Sequence, residues 1–173
     1  MKINNSQDFL YCHTTNNIMR PKQEIFEFYD SAKSNKIGTL VCHISDIPLR
    51  PNYDGSVLAI DFLEVSNKNQ GLGTKILKFA EDYSKQVGCD GYLTVKADGS
   101  FMPERIPHIF YRKYGFTTLD KRNDIKLDKF IKKGCNATTK DFPCMLMHYP
   151  PQPKDNMTFI QKFAKTFQKF FKF

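Results

Sequence analysis

The feature that most constrains this chain is the stretch from Ser56 to Tyr92, where a strand pattern runs into a glycine pair and then into a helix pattern. Val57 to Val65 is rich in apolar and β-branched side chains and reads as a buried strand. The polar residues Ser66 to Gln70 follow, and then Gly71-Leu72-Gly73. Beyond the glycines the apolar residues recur at helical spacing. Leu72, Ile76, Leu77, Phe79 and Ala80 share one side of the wheel, while Lys75, Lys78, Glu81 and Asp82 take the other. A strand that enters a helix through glycines is a natural seat for an anionic phosphate. The first-turn N–H groups have no partner inside the helix, the dipole is positive there, and glycine lets a ligand approach the backbone.

The remaining segments fall around this unit. Phe9 to Thr15 reads as a short strand, and Glu24 to Ser31 as another by its apolar–polar alternation. Ile37 to Ile47 is the antiparallel partner of the second, across a turn at Ser34-Asn35-Lys36. The central helix ends near Gly88, and Tyr92 to Ala97 is a further strand. Pro107 opens a short helix, His108 to Tyr114, which Gly115 terminates. Phe116 to Leu119 is a brief strand, Asp124 to Lys133 a helix ending at Gly134, and Cys144 to Tyr149 a last strand. Antiparallel strands followed by strand–helix–strand–helix–strands predict an α/β domain built on a mixed, mostly antiparallel central sheet flanked by helices.

The 173 residues suffice for one domain with a real core, and no apolar run approaches the roughly 18–20 residues of a spanning helix. The polar start, MKINNSQDF, lacks the apolar segment of a signal peptide, so a cytoplasmic location is expected. Five cysteines at irregular spacing argue against a disulfide framework, and no CxxC or HxxxH spacing supports a metal site. Buried structural thiols are expected, and no metal. The net charge of +8 favours anionic partners, among them phosphorylated cofactors.

Two blocks resemble the GNAT acyl-CoA N-acyltransferases. Leu63-Glu64-Val65, the polar loop and Gly71-Leu72-Gly73-Thr74-Lys75-Ile76-Leu77 look like that family's strand, its Arg/Gln-x-x-Gly-x-Gly/Ala loop and its pyrophosphate-binding helix. Phe110-Tyr111-Arg112-Lys113-Tyr114-Gly115-Phe116 is similar to its Phe-Tyr-x-x-x-Gly-Phe block. The likeness covers Glu24 to Tyr149. It implies a V-shaped opening between two parallel strands that admits acetyl-CoA. The pantetheine would pair with the backbone of Leu63 and Val65, and the pyrophosphate would lie on the N–H groups of Gln70, Gly71, Leu72, Gly73 and Thr74. The family's Arg/Gln position falls on Lys68, which can neutralise phosphate without arginine's forked geometry. The pair of helices usual after the first strand is missing or displaced here, and those helices commonly wall the acceptor site.

Acyl transfer from a thioester to an amine needs a neutral amine, a stabilised oxyanion and a proton for the leaving thiolate. Tyr111 aligns with the family's general acid; the alternative is a core tyrosine beside Phe110. Asp61 is the first candidate base, because a carboxylate inside an apolar strand has its pKa raised by desolvation. A strand-end carboxylate paired with a lysine is the alternative. Glu64 is the second candidate. His108 could line the same cleft or simply pack, and His13, His43 and His148 read as structural residues of strands.

Residues 157–173 form the other informative stretch. On a helical wheel Phe159, Ile160, Phe163, Ala164, Phe167, Phe170 and Phe171 fall within about 140°, opposite four lysines. Such a face must pack on its own domain, on a second copy of the chain, or on an anionic membrane surface. The expected organisation is a GNAT-like acyltransferase domain over 1–149, a Pro-rich hinge over 150–156 and a basic amphipathic helix over 157–173. The expected activity is an N-acetyltransferase joining acetyl-CoA to a primary amine by direct attack in a ternary complex. The rivals are a catalytically silent CoA-binding or interaction module, and a peripheral membrane protein acting through its C-terminal helix. Nucleic acid is not an expected partner, because the tail's lysines lack interleaved exposed aromatics.

Overall fold

In the computed structural model the described residues are 3–5, 9–16, 18, 22–30, 35–46, 55–66, 71–100, 106–134 and 141–150. They form strands β1 (Ile3–Asn5), β2 (Leu10–Asn16), β3 (Gln23–Tyr29), β4 (Lys36–Ser45) and β5 (Val57–Val65), helix α1 (Leu72–Gln86), and strand β6 (Leu93–Ala97). Helix α2 (Pro107–Tyr114), strand β7 (Thr117–Thr118), helix α3 (Lys121–Lys133) and strand β8 (Met145–Tyr149) complete them. One sheet holds all eight strands in the order β1-β2-β3-β4-β5-β6-β8-β7. Every pairing is antiparallel except β5 with β6, which are parallel. A parallel neighbour needs a crossover, and α1 supplies it.

The helices gather on one face. Gly38 turns toward Ile76, a Cβ there standing 2.7 Å from the Ile76 Cδ1, so Gly38, Leu40 and Cys42 of β4 face α1. Their alternates Thr39, Val41 and His43 face the other way. Helix α2 lies beside α1, with the Tyr114 hydroxyl 3.4 Å from Glu81 Oε2, and α3 joins α2 through a two-pronged pair between Arg112 and Asp128 at 2.8 Å. Under α1 the aromatics interlock: Phe79 meets Phe26 at 5.0 Å and Phe28 at 5.2 Å, and Tyr83 meets Phe26 at 4.8 Å between ring centroids. Phe26 and Phe28 are fully buried, which stabilises by about 1.5–3 kcal/mol for each side chain.

Two irregularities shape the centre of the sheet. The β5–β6 ladder runs only from Leu58↔Leu93 to Ile60↔Val95, although β5 continues to Val65. Against β4, Val41 pairs with Phe62 and Cys42 with Ile60, so Asp61 is the extra residue of a β-bulge. A bulge adds local twist and bends its strand. The bulge falls one residue beyond the last β5–β6 pair, Ile60↔Val95.

The mixed, mostly antiparallel sheet flanked by helices is the expected one, and most expected elements lie within a few residues of their places. Helix α3 starts at Lys121 instead of Asp124, because the Asp120 carboxylate caps it by accepting from Arg122 N–H at 2.9 Å. Strand β1 carries no period in Ile3-Asn4-Asn5 and had no signal to find. Six residues, 17–22, separate β2 from β3. Among the described residues no helix covers the second face of β3, β4 and β5, where Phe62 is 46% exposed. No helix among them is long and apolar enough to cross a membrane. The hinge beyond Pro150 and the amphipathic segment 157–173 lie outside the described residues.

Candidate active site

The first part of the site is the start of α1. Gly71 has φ 74°, a left-handed backbone that favours glycine, and the space around it is open. Lys75 N–H donates to Gly71 C=O at 3.1 Å, which closes the first turn. Among the described residues no side chain caps this end and no acidic residue stands in the first turn, and the N–H groups of Leu72, Gly73 and Thr74, like those of any first turn, have no intrahelical acceptor. That is the arrangement an anion requires. Gly73 has a different reason for being glycine: a Cβ there would stand 2.9 Å from Phe110 Cζ. Lys68 and Gln70, expected to help hold the pyrophosphate, lie outside the described residues.

The second part is the gap between β5 and β6. Ser66 N–H donates to Ile37 C=O at 2.9 Å, so Ser66 and, by the alternation of a strand, Glu64 turn their main-chain groups toward β4. Leu63 and Val65 then turn theirs away from β4, past the point where the β6 ladder has ended. These are the residues expected to pair with an extended pantetheine.

The third part stands on the second face, at the bulge. Asp61 Oδ2 accepts from Gln23 Nε2 at 3.0 Å and lies 2.9 Å from His43 Nδ1. The expectation of an apolar, desolvated Asp61 is corrected here. The bulge swings it onto an exposed position, and its partners are a glutamine and a histidine, not a lysine. Glu64 is also exposed, on the same face opposite Thr39. His43, read from sequence as a structural strand residue, is thus brought to the candidate base. Only the β4–β5 register reveals this, since 18 residues separate the pair.

Tyr111 lies on the inner side of α2, between Phe110 at 5.2 Å and Phe116 at 5.3 Å between ring centroids. It is buried, and burial pushes its phenol well above the ordinary range, so it remains protonated. Its hydroxyl has no hydrogen-bond partner among the described residues. His108 is fully buried, its Nε2 3.0 Å from the Pro143 carbonyl, and burial lowers its pKa. It ties α2 to the approach of β8 and does not line the gap. Cys12, Cys42 and Cys89 are buried free thiols, whereas Cys144 is exposed.

No family model matches the sequence, and no curated protein sequence matches it significantly. Among solved structures, the chain is similar to a GCN5-related glucosamine N-acetyltransferase region of a fungal multi-domain GH3 β-N-acetylglucosaminidase. The identity is 18% and the TM-score 0.43, over 57% of this chain and 12% of that one. It is also similar to the KacTA–DNA complex, at 16% identity and a TM-score of 0.45, over 85% of this chain and 73% of that one. The fold itself is given by the strand order, by the single parallel pair whose ladder ends at Ile60 and Val95, and by the helices that follow each of its strands. By these features the chain has a GNAT-like fold.

Proposed function

We propose that this protein is an N-acetyltransferase that moves an acetyl group from acetyl-CoA to a primary amine by direct attack in a ternary complex. The observation that carries the reading is the uncapped start of α1 after a strand, β5, that runs on past its last pairing with β6. Main-chain groups of Leu63 and Val65 turn away from β4, and the N–H groups of Leu72, Gly73 and Thr74 have no intrahelical acceptor. A pantetheine arm with its amides and a pyrophosphate with its charge fit those two parts in that order.

The acetyl thioester would then lie near the bulge at Asp61. The ammonium of the acceptor loses its proton on the second face, where Asp61 and Glu64 stand. Attack on the carbonyl carbon forms the N–C bond and breaks the C–S bond. Tyr111 is the proposed donor to the leaving thiolate, for which a phenol that remains protonated and lacks a described partner is suited. Calorimetric titration with acetyl-CoA tests the reading: saturable binding supports it, and a folded protein that takes up none at millimolar concentration contradicts it.

A further inference from the structure

The contact between His43 and Asp61 does more than tie β4 to β5. Asp61 is the first residue of β5 beyond its last pairing with β6, so the contact sits where the strands part. The carboxylate oxygen Oδ2 accepts from Gln23 on one side and faces His43 Nδ1 on the other, at 3.0 and 2.9 Å. An ionised carboxylate can only accept, so Nδ1 carries the ring hydrogen, and in the neutral imidazole Nε2 then carries the lone pair. Among the described residues nothing hydrogen-bonds Nε2. The His43 side chain is 18% exposed, beside the open Phe62 on the same face.

We infer that His43 is the proton acceptor for the incoming amine, and that Asp61 is its positioning residue. This deepens the acetyltransferase reading and rests on it. A neutral imidazole nitrogen can take a proton from a bound ammonium, whereas Asp61 Oδ2 already accepts from Gln23. The fixed tautomer points the basic nitrogen away from Asp61. Elsewhere on this face Glu27 pairs with Lys36 at 3.0 Å and accepts from the Tyr29 hydroxyl at 3.2 Å, and Glu64 stands opposite Thr39.

The protons balance. The acceptor arrives as an ammonium with three N–H bonds and leaves as an amide with one. One proton passes to His43 Nε2 and on to solvent, freeing the lone pair that forms the N–C bond. The other replaces the proton that Tyr111 gives to the thiolate as the C–S bond breaks.

The test follows CoA release with two small amines: methylamine, a cation at neutral pH, and hydroxylamine, already neutral there. His43→Gln should slow the methylamine reaction by about 10²-fold while leaving the hydroxylamine reaction within about threefold. Asp61→Asn should slow methylamine less and move the pH–rate profile. An unchanged methylamine rate in His43→Gln overturns the inference. If the wild type uses neither amine, modification by diethyl pyrocarbonate decides, with the 33% exposed side chain of His13 as internal control. Saturating acetyl-CoA should protect His43 and spare the reactivity of His13. Measured binding without protection of His43 overturns this inference and leaves the acetyltransferase reading standing. Absence of calorimetric binding overturns both.

Discussion

The ring of Phe110 lies 2.9 Å from the point where a Cβ on Gly73 would stand. The two sequence blocks that carry the family resemblance therefore meet in space, one at the first turn of α1 and the other on α2. A glycine inside a helix ordinarily costs about 1 kcal/mol relative to alanine, and here the contact reverses the sign. Gly73→Ala should destabilise the wild type by about 1 kcal/mol through overpacking. In a Phe110→Ala background the same change should stabilise by about 0.5–1 kcal/mol, as helix propensity alone dictates. Urea unfolding of the four proteins measures the coupling, and additive effects would show that the contact does not matter.

The Arg112 guanidinium grips Asp128 through two hydrogen bonds of 2.8 Å, and this holds the Asp128 carboxyl below its ordinary pKa. A depressed carboxylate adds stability above its unfolded value and loses it as pH falls through the folded one. Asp128→Asn should therefore cost about 1 kcal/mol at pH 7, a discounted figure for a pair open to solvent on one side. The gap between the two proteins should narrow as pH falls below about 4 and close once Asp128 is protonated. Other depressed carboxylates, such as Glu24 and Asp120, are common to both proteins and cancel. A difference that grows with acid would refute the assignment.

Tyr111→Phe separates a proton donor from a core tyrosine. The ring packing with Phe110 and Phe116 is kept, so the unfolding midpoint should barely move. Turnover of acetyl-CoA with hydroxylamine should fall by about 10²-fold, with acetyl-CoA binding unchanged. Equal turnover would return Tyr111 to the core.

What the sequence disclosed followed from period and punctuation. Val57–Val65, the glycines and the apolar stripe of α1 are local signals, and so are Pro107 and Gly115 at the two ends of α2. The parting of β5 from β6 was anticipated only through resemblance, since no local pattern encodes where a ladder stops. The environment of Asp61 was misjudged for the same reason. Its neighbours in sequence are Ile60 and Phe62, but the bulge places it with His43 and Gln23, residues fixed by register across three strands. Gly73 looked like a ligand-approach glycine, yet its neighbour is a ring that lies far along the chain.

The measurement that tests the central claim most directly is acetyl-CoA binding by calorimetry to the wild type, Gly71→Asn and Gly71→Asp. The backbone at φ 74° tolerates both side chains better than most, and nothing stands within 4 Å of the new Cβ. The pair therefore differs chiefly by one negative charge at the helix end where the pyrophosphate would lie. The account predicts that Asn binds nearly as the wild type does, and that Asp weakens binding about tenfold or more, near 1.4 kcal/mol. Equal affinities for Asn and Asp, or no binding by the folded wild type, would contradict it.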